Sequence, residues 1–179
     1  MTGCQRYSNT ELRMKKLFHI LLITVLFLPL LSCSKEKEIS PITGSLAPDF
    51  TLNNLDGSPV HLNDLRGQAV FINFWHTACR YCQYEMPNIQ RMYDTYSGEG
   101  LVVLGVNVGN SQQDASDYAK RLKITFPILL DGDEAINNTY LVTGYPTSFF
   151  IDREGVIKSI YIGEMTGVEM EKQVKLVLK

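Results

Sequence analysis

At 179 residues, with 45% apolar and 20% charged residues and a formal net charge of −2, the chain has room for one globular domain and a tail. The charge is unevenly placed: residues 1–16 carry Arg6, Arg13, Lys15 and Lys16 against Glu11, while residues 34–179 carry 13 Lys and Arg against 18 Asp and Glu, a net −5. That balance excludes a basic nucleic-acid surface.

The basic start runs into Leu17–Leu31 (LFHILLITVLFLPLL), a 15-residue apolar run followed by Ser32 and Cys33. A cationic segment, an apolar run and a small residue at a cut site describe a secretory signal. The run is shorter than the roughly 20 residues of a membrane span. The tetrad Leu30-Leu31-Ser32-Cys33 resembles a bacterial lipobox, in which the cysteine is lipidated and becomes the first residue of the mature protein. A plain secretory signal, or an uncleaved anchor with an incidental Cys33, is the alternative. Met14, opening MKK, competes with Met1 as the natural start. Residues 1–33 are thus read as an N-terminal extension and lipoprotein-type signal peptide. Residues 34–45, charged and then Pro- and Gly-bearing, are read as a flexible tether, and residues 46–179 as the folded domain. Cys4 and Cys33 fall in the targeting segment, so Cys79 and Cys82 are the cysteines of the domain, in a compartment where disulfides persist.

Within the domain, APDFTL (Ala47–Leu52) and PVHL (Pro59–Leu62) flank the turn signal NNLDGS and predict a hairpin. AVFINFW (Ala69–Trp75) and LVVLGVNV (Leu101–Val108) are continuous apolar runs, the pattern of strands buried on both faces. Between them Met86, Ile89, Tyr93 and Tyr96 recur at helical spacing, which predicts a helix from Arg80 to about Ser97, ended by Gly98 and kinked at Pro87. Ser111–Lys123 reads as a second helix with Ala115, Tyr118, Ala119 and Leu122 on one face. Pro127–Leu130 predicts a strand and Asp133–Leu141 a short helix. TSFFID and GVIKSIYIG predict two strands about the turn Asp152–Gly155, and Met170, Val174, Val177 and Leu178 mark a closing helix. Alternation first and a hairpin last give an α/β domain with a mixed sheet.

The chemistry centres on Cys79 and Cys82. Cysteines three apart share a helical face and are close enough to bridge. At a helix N-terminus, unpaired N–H groups and the macrodipole favour a Cys79 thiolate, which makes it the attacking sulfur, with Cys82 a turn inside to resolve the mixed disulfide. Arg80 strengthens that effect if it points at Cys79 and is a solubilising residue if it points away. A structural zinc needs four ligands, and besides the cysteines the domain offers His61 and His76. His76 is read as a loop residue near the site. Two inert thiols would not be placed at a helix start.

APDFTL, DLRGQAVFINFW (Asp64–Trp75), Cys79-Arg80-Tyr81-Cys82 with Glu85 and Pro87 behind it, and GYPTSFFIDREG (Gly144–Gly155) together resemble the thioredoxin superfamily. Within it they are similar to the membrane-tethered TlpA/ResA-like thiol–disulfide oxidoreductases. The resemblance implies a thioredoxin-like fold, a mixed central sheet flanked by helices, with an N-terminal β-hairpin and a central helical insertion at Ser111–Lys123. It implies Cys79 as nucleophile, Cys82 as resolving cysteine, and Pro146 as the cis-proline beside a substrate groove that Tyr145 and Trp75 would line. Glu85 matches an acidic residue beneath the cysteine pair, able to exchange protons with Cys82. No cofactor and no metal are implied. The partners implied are disulfide-containing envelope proteins, apocytochrome c among them, and a membrane electron-donor protein. Together with the lipobox, this places the enzyme outside the cytoplasm on a lipid anchor, in the cell envelope.

Two departures stand out: Ala78 occupies a position where relatives commonly carry Trp, and Tyr81 one where many carry Pro. They leave the potential and the direction of electron flow open. Two rival functions remain at this stage. A thiol peroxidase of peroxiredoxin type would suit APDFTL, but that chemistry usually shows Thr three residues before its cysteine, where His76 stands. A copper or metal chaperone of the related kind has three residues between its cysteines, and this chain has two.

Overall fold

The computed structural model describes residues 37–179, and the apolar run AVFINFW forms the strand at their centre. This strand, β3, follows the hairpin of β1 (Thr51–Asn54) and β2 (Pro59–His61), spans Ala69–Trp75 and is buried along its whole length. It pairs in parallel with β4 (Leu101–Val108), in register from Ala69 opposite Leu101 to Trp75 opposite Asn107. On its other edge it meets β6 (Thr147–Ile151) antiparallel. β5 (Ile128–Asp131) continues in parallel on β4 and takes β1 antiparallel, while β7 (Ile157–Ile162) adds antiparallel to β6. The result is a seven-stranded mixed sheet in the order β2-β1-β5-β4-β3-β6-β7.

Four helices cover it: α1 (Arg80–Tyr96), α2 (Gln112–Leu122), α3 (Ala135–Thr139) and α4 (Gly167–Val177). The two-residue period of β3 divides the core. Phe71 and Trp75 join Phe150 on the face covered by Met86, Ile89 and Met92 of α1 and by Met170 and Val174 of α4. Ile72 and Phe74 join Phe149 on the other face, with Phe50, Leu62 and Tyr140. Helices on one side and an irregular segment with α3 on the other explain why the central strands read as unbroken apolar runs. This is the predicted thioredoxin-like α/β architecture.

Two boundaries differ from the expectations. The first strand begins at Thr51, not Ala47; Ala47 and Phe50 are buried but irregular, because the Ala47 N–H donates to Gly155 O at 3.0 Å rather than entering the hairpin. Gly98 does not end α1. The chain leaves the α-helix at Tyr96, makes one 3-10 turn and stops at Gly100, whose φ of 91° is open to glycine without a Cβ penalty. Pro87 lies within α1, which continues as α-helix through Tyr96 on its far side.

Residues 34–45 read as a tether, yet the backbone is bonded from Glu38 onward. The Leu46 N–H donates to Glu38 O (2.9 Å) and the Ser40 N–H to Leu46 O (3.0 Å). The Gly44 N–H then donates to Ile157 O (2.8 Å), and the Ile157 N–H to Ser45 O (2.9 Å). β7 is an edge strand whose outward backbone groups need partners, and this segment supplies them. The signal-like stretch, Cys33 and the start-codon question lie outside the described residues.

Candidate active site

Four residues, His76 to Cys79, lead from the C-terminal end of β3 into α1. Cys79 is the N-cap, with extended backbone (φ −81°, ψ 110°), and its Sγ accepts the Cys82 N–H at 3.1 Å. A sulfur thus occupies the place where a Ser or Asp side chain ordinarily satisfies an orphan helix N–H, and the same donor would stabilise a thiolate there. Cys79 and Cys82 are joined by a disulfide, with Cα atoms 5.3 Å apart. Cys79 is half-buried and Cys82 fully buried, so Cys79 is the more accessible residue of the bridge.

The loop before the pair is held by side chains. The Ala78 N–H donates to His76 Nδ1 (3.0 Å), and the Cys79 N–H to His76 O (3.0 Å). His76 Nε2 lies 3.1 Å from the Asn110 amide nitrogen, which ties the ring to the loop after β4. Asn110 Oδ1 accepts both the Thr77 N–H and Asn107 Nδ2, each at 3.0 Å. Arg80 leans away from the cysteines: its Nε donates to the Tyr84 hydroxyl at 2.7 Å, one turn further along the exposed side of α1.

Pro146 enters β6 after a cis Tyr145–Pro146 peptide, and its carbonyl accepts the Gly163 N–H at 2.8 Å. The Tyr145 ring stacks on His76 (centroids 6.4 Å apart, planes 21° apart), which brings the proline loop beside the segment leading to Cys79. The Tyr145 hydroxyl donates to Asn137 Oδ1 (2.9 Å), and the Asn137 N–H in turn donates to Asp131 Oδ2 (2.7 Å). Trp75, expected along the groove, is instead fully buried on the helix-covered face of β3, its ring 4.7 Å from that of Tyr118. The strand's alternation puts Trp75 in the core, and Tyr145 alone of the two reaches the rim.

Glu85 is fully buried, two turns into α1. Its Oε1 accepts the Met165 N–H at 3.3 Å, while Oε2 has no partner. Burial pushes its pKa up to about 7; nearby Glu164 pushes the same way, and the Met165 N–H and Asn73 amide oppose them. A carboxyl poised there can take or release a proton near neutrality. Sequence reasoning did not pick out Asn73, Ser148 or Asn110. The first two were visible as polar residues inside fully buried strands, where a polar group needs a partner; nothing in the local sequence marks Asn110. Among the described residues no group of three or more His, Cys, Asp or Glu side chains gathers as a metal site, and His61 is engaged with Thr51 Oγ1 at 2.7 Å.

A bridged cysteine pair capping the helix that follows a central parallel strand, with a cis-proline loop stacked alongside, is the arrangement of a thioredoxin-like thiol–disulfide oxidoreductase, and that is the class of this enzyme. The chain belongs to the AhpC/TSA family, whose model matches residues 43–160. It is 36% identical over 168 residues to the thiol-disulfide oxidoreductase ResA of Geobacillus thermodenitrificans, covering 94% of this chain and 97% of that one. It is 38% identical over 144 residues to the thioredoxin-like protein YneN of Bacillus subtilis, covering 79% and 84%. Among solved structures, a thiol:disulfide interchange protein of the thioredoxin family from Chlorobium tepidum matches with a TM-score of 0.69 at 29% identity, over 75% of this chain and 96% of that one.

Proposed function

We propose that the protein reduces disulfides of partner proteins outside the cytoplasm, with Cys79 as nucleophile, Cys82 as resolving cysteine and Glu85 as its proton partner. The observation that carries this reading is the burial gradient along α1: a half-buried cysteine at the N-cap, a buried one a turn in, and a buried carboxyl of near-neutral pKa beyond it. In the reduced enzyme the Cys79 thiolate attacks a partner disulfide; that S–S bond breaks and one partner sulfur leaves as thiolate, which takes a proton from water. The Cys82 thiol passes its proton to the Glu85 carboxylate, and the resulting thiolate attacks Cys79 Sγ. The Cys79–Cys82 bond forms, the second partner thiolate leaves, and two electrons have moved to the partner. A dithiol donor resets the pair. Tyr145, partly exposed, forms the rim against which a partner segment is held, with the buried Pro146 behind it setting the course of the loop.

The lipobox-like tetrad supports a lipid anchor at Cys33 and a place in the cell envelope. The relatives named thiol-disulfide oxidoreductase support disulfides as substrates; the partners we propose are envelope disulfides, the haem-site cysteines of apocytochrome c among them, with a membrane protein as donor. The test is trapping. A Cys82→Ser variant is expected to accumulate partners as mixed disulfides on Cys79, which mass spectrometry identifies; a variant that captures none overturns the role assignment. Cys33→Ala is expected to release the protein from membranes or block its maturation, and unchanged membrane association overturns the anchor.

A further inference from the structure

On the helix-covered face of the sheet, Asn73 of β3 stands opposite Ser148 of β6 in the antiparallel register. Both residues are fully buried, as is Glu85 above them. Asn73 Nδ2 donates to Ser148 Oγ at 3.0 Å, and the Asn73 amide also bears on the Glu85 carboxyl. Two buried oxygens here have no partner, Asn73 Oδ1 and Glu85 Oε2. A buried acceptor without a donor is costly, and two neighbouring acceptors are satisfied together by one shared proton.

We propose that Asn73 is a positioning residue whose amide, hinged on Ser148, turns over as Glu85 gains or loses its proton. With Glu85 protonated, its hydroxyl donates to Asn73 Oδ1 while Asn73 Nδ2 donates to Ser148 Oγ. With Glu85 ionised, the amide is reversed: Nδ2 donates to the carboxylate, and the Ser148 hydroxyl turns to donate to Oδ1. Serine suits the hinge because its hydroxyl both donates and accepts. No heavy atom leaves the core, and each protonation state keeps its hydrogen bonds. The titratable neighbour that bears on Glu85 is Glu164, from the segment between β7 and α4, and Cys82 stands three residues before it on α1; Asn73, Ser148 and the Met165 N–H are uncharged. The inference rests on the reading of Glu85 as a proton carrier and adds the device that lets a buried carboxyl carry one.

Nuclear magnetic resonance of the oxidised protein tests both and separates them. The Glu85 side-chain carboxyl carbon and the Asn73 side-chain NH2 group are followed from pH 5 to 9. The expected result is a common midpoint near 7 for both signals. A Glu85 carbon that titrates while the Asn73 amide stays unmoved overturns the inference and leaves the carrier reading standing. A Glu85 carbon that does not titrate in this range overturns both. Asn73→Ser gives a second readout. Because a donor to a carboxylate is worth more than an acceptor from its acid, the Glu85 midpoint is expected to rise by about one pH unit. An unchanged midpoint in this variant also overturns the inference.

Discussion

On the role proposed for it, Glu85 would serve the chemistry at the expense of the fold. Its pKa is raised from 4.5 to about 7, chiefly by burial, so between those values the folded protein holds a proton that the unfolded chain has lost. Stability therefore falls as pH rises from about 4.5 to 7 and stays lowered above, by up to about 3 kcal/mol. Glu85→Gln keeps the shape and removes the titration. Its urea midpoint is expected to exceed the parent's at pH 8 and to converge with it toward pH 4.5. In the reduced protein, the same variant removes a negative charge beside the thiols, so their titration is expected to shift to lower pH. The spacing of Cys79, Cys82 and Glu85 was legible in the sequence, because all three lie on one slowly drifting stripe of α1. The partners of Glu85 were not: Met165 is 80 residues away, and Asn73 and Ser148 read as strand residues until the register pairs them.

The elements themselves were legible because their apolar periods are strong, as in the unbroken burial of β3 and the Ala115, Tyr118 and Ala119 stripe of α2. What pattern reading could not supply was the matching of one element's end to another's chemistry. α4 begins with a capping box: Glu169 N–H donates to Thr166 Oγ1 (3.3 Å), and Thr166 N–H to Glu169 Oε2 (3.0 Å). The residue just before this cap is Met165, whose N–H holds Glu85. The start of α4 therefore presents a donor to the buried carboxyl of α1. Thr166→Ala is expected to cost about 1 kcal/mol by the loss of the cap. It is also expected to raise the Glu85 midpoint by loosening the Met165 donor, which carbon-13 titration would detect. Gly105 is a similar case of fit between elements: a Cβ there would lie 2.8 Å from Ile128 Cδ1 and 2.9 Å from Phe126 Cε2. That crowding explains a glycine inside an otherwise β-rich strand.

At the scale of the molecule, the sheet has two edges, β2 and β7, and the chain covers part of the second with its own beginning. The composition of residues 34–45 suggested a tether because it lacks a hydrophobic period. The bonds to β7 are made by backbone groups, which leave no trace in composition. A chain starting at Leu46 forfeits the Gly44 and Ser45 bonds to Ile157, and its stability in urea is expected to fall by roughly 1–3 kcal/mol relative to one starting at Lys37. Equal stability of the two would show the bonds to be incidental.

The early docking of Glu38 also bears on where catalysis takes place. If Cys33 carries the lipid, only Ser34 to Lys37 separate it from the bonded backbone, four residues that span at most about 15 Å. A leash that short does not let the enzyme sweep a volume. Under such an anchor the domain would stay near the bilayer, and the search for a partner would become diffusion within a plane. Membrane-bound partners would then meet it at a raised local concentration, and selectivity would come from confinement as well as from the shape of the groove.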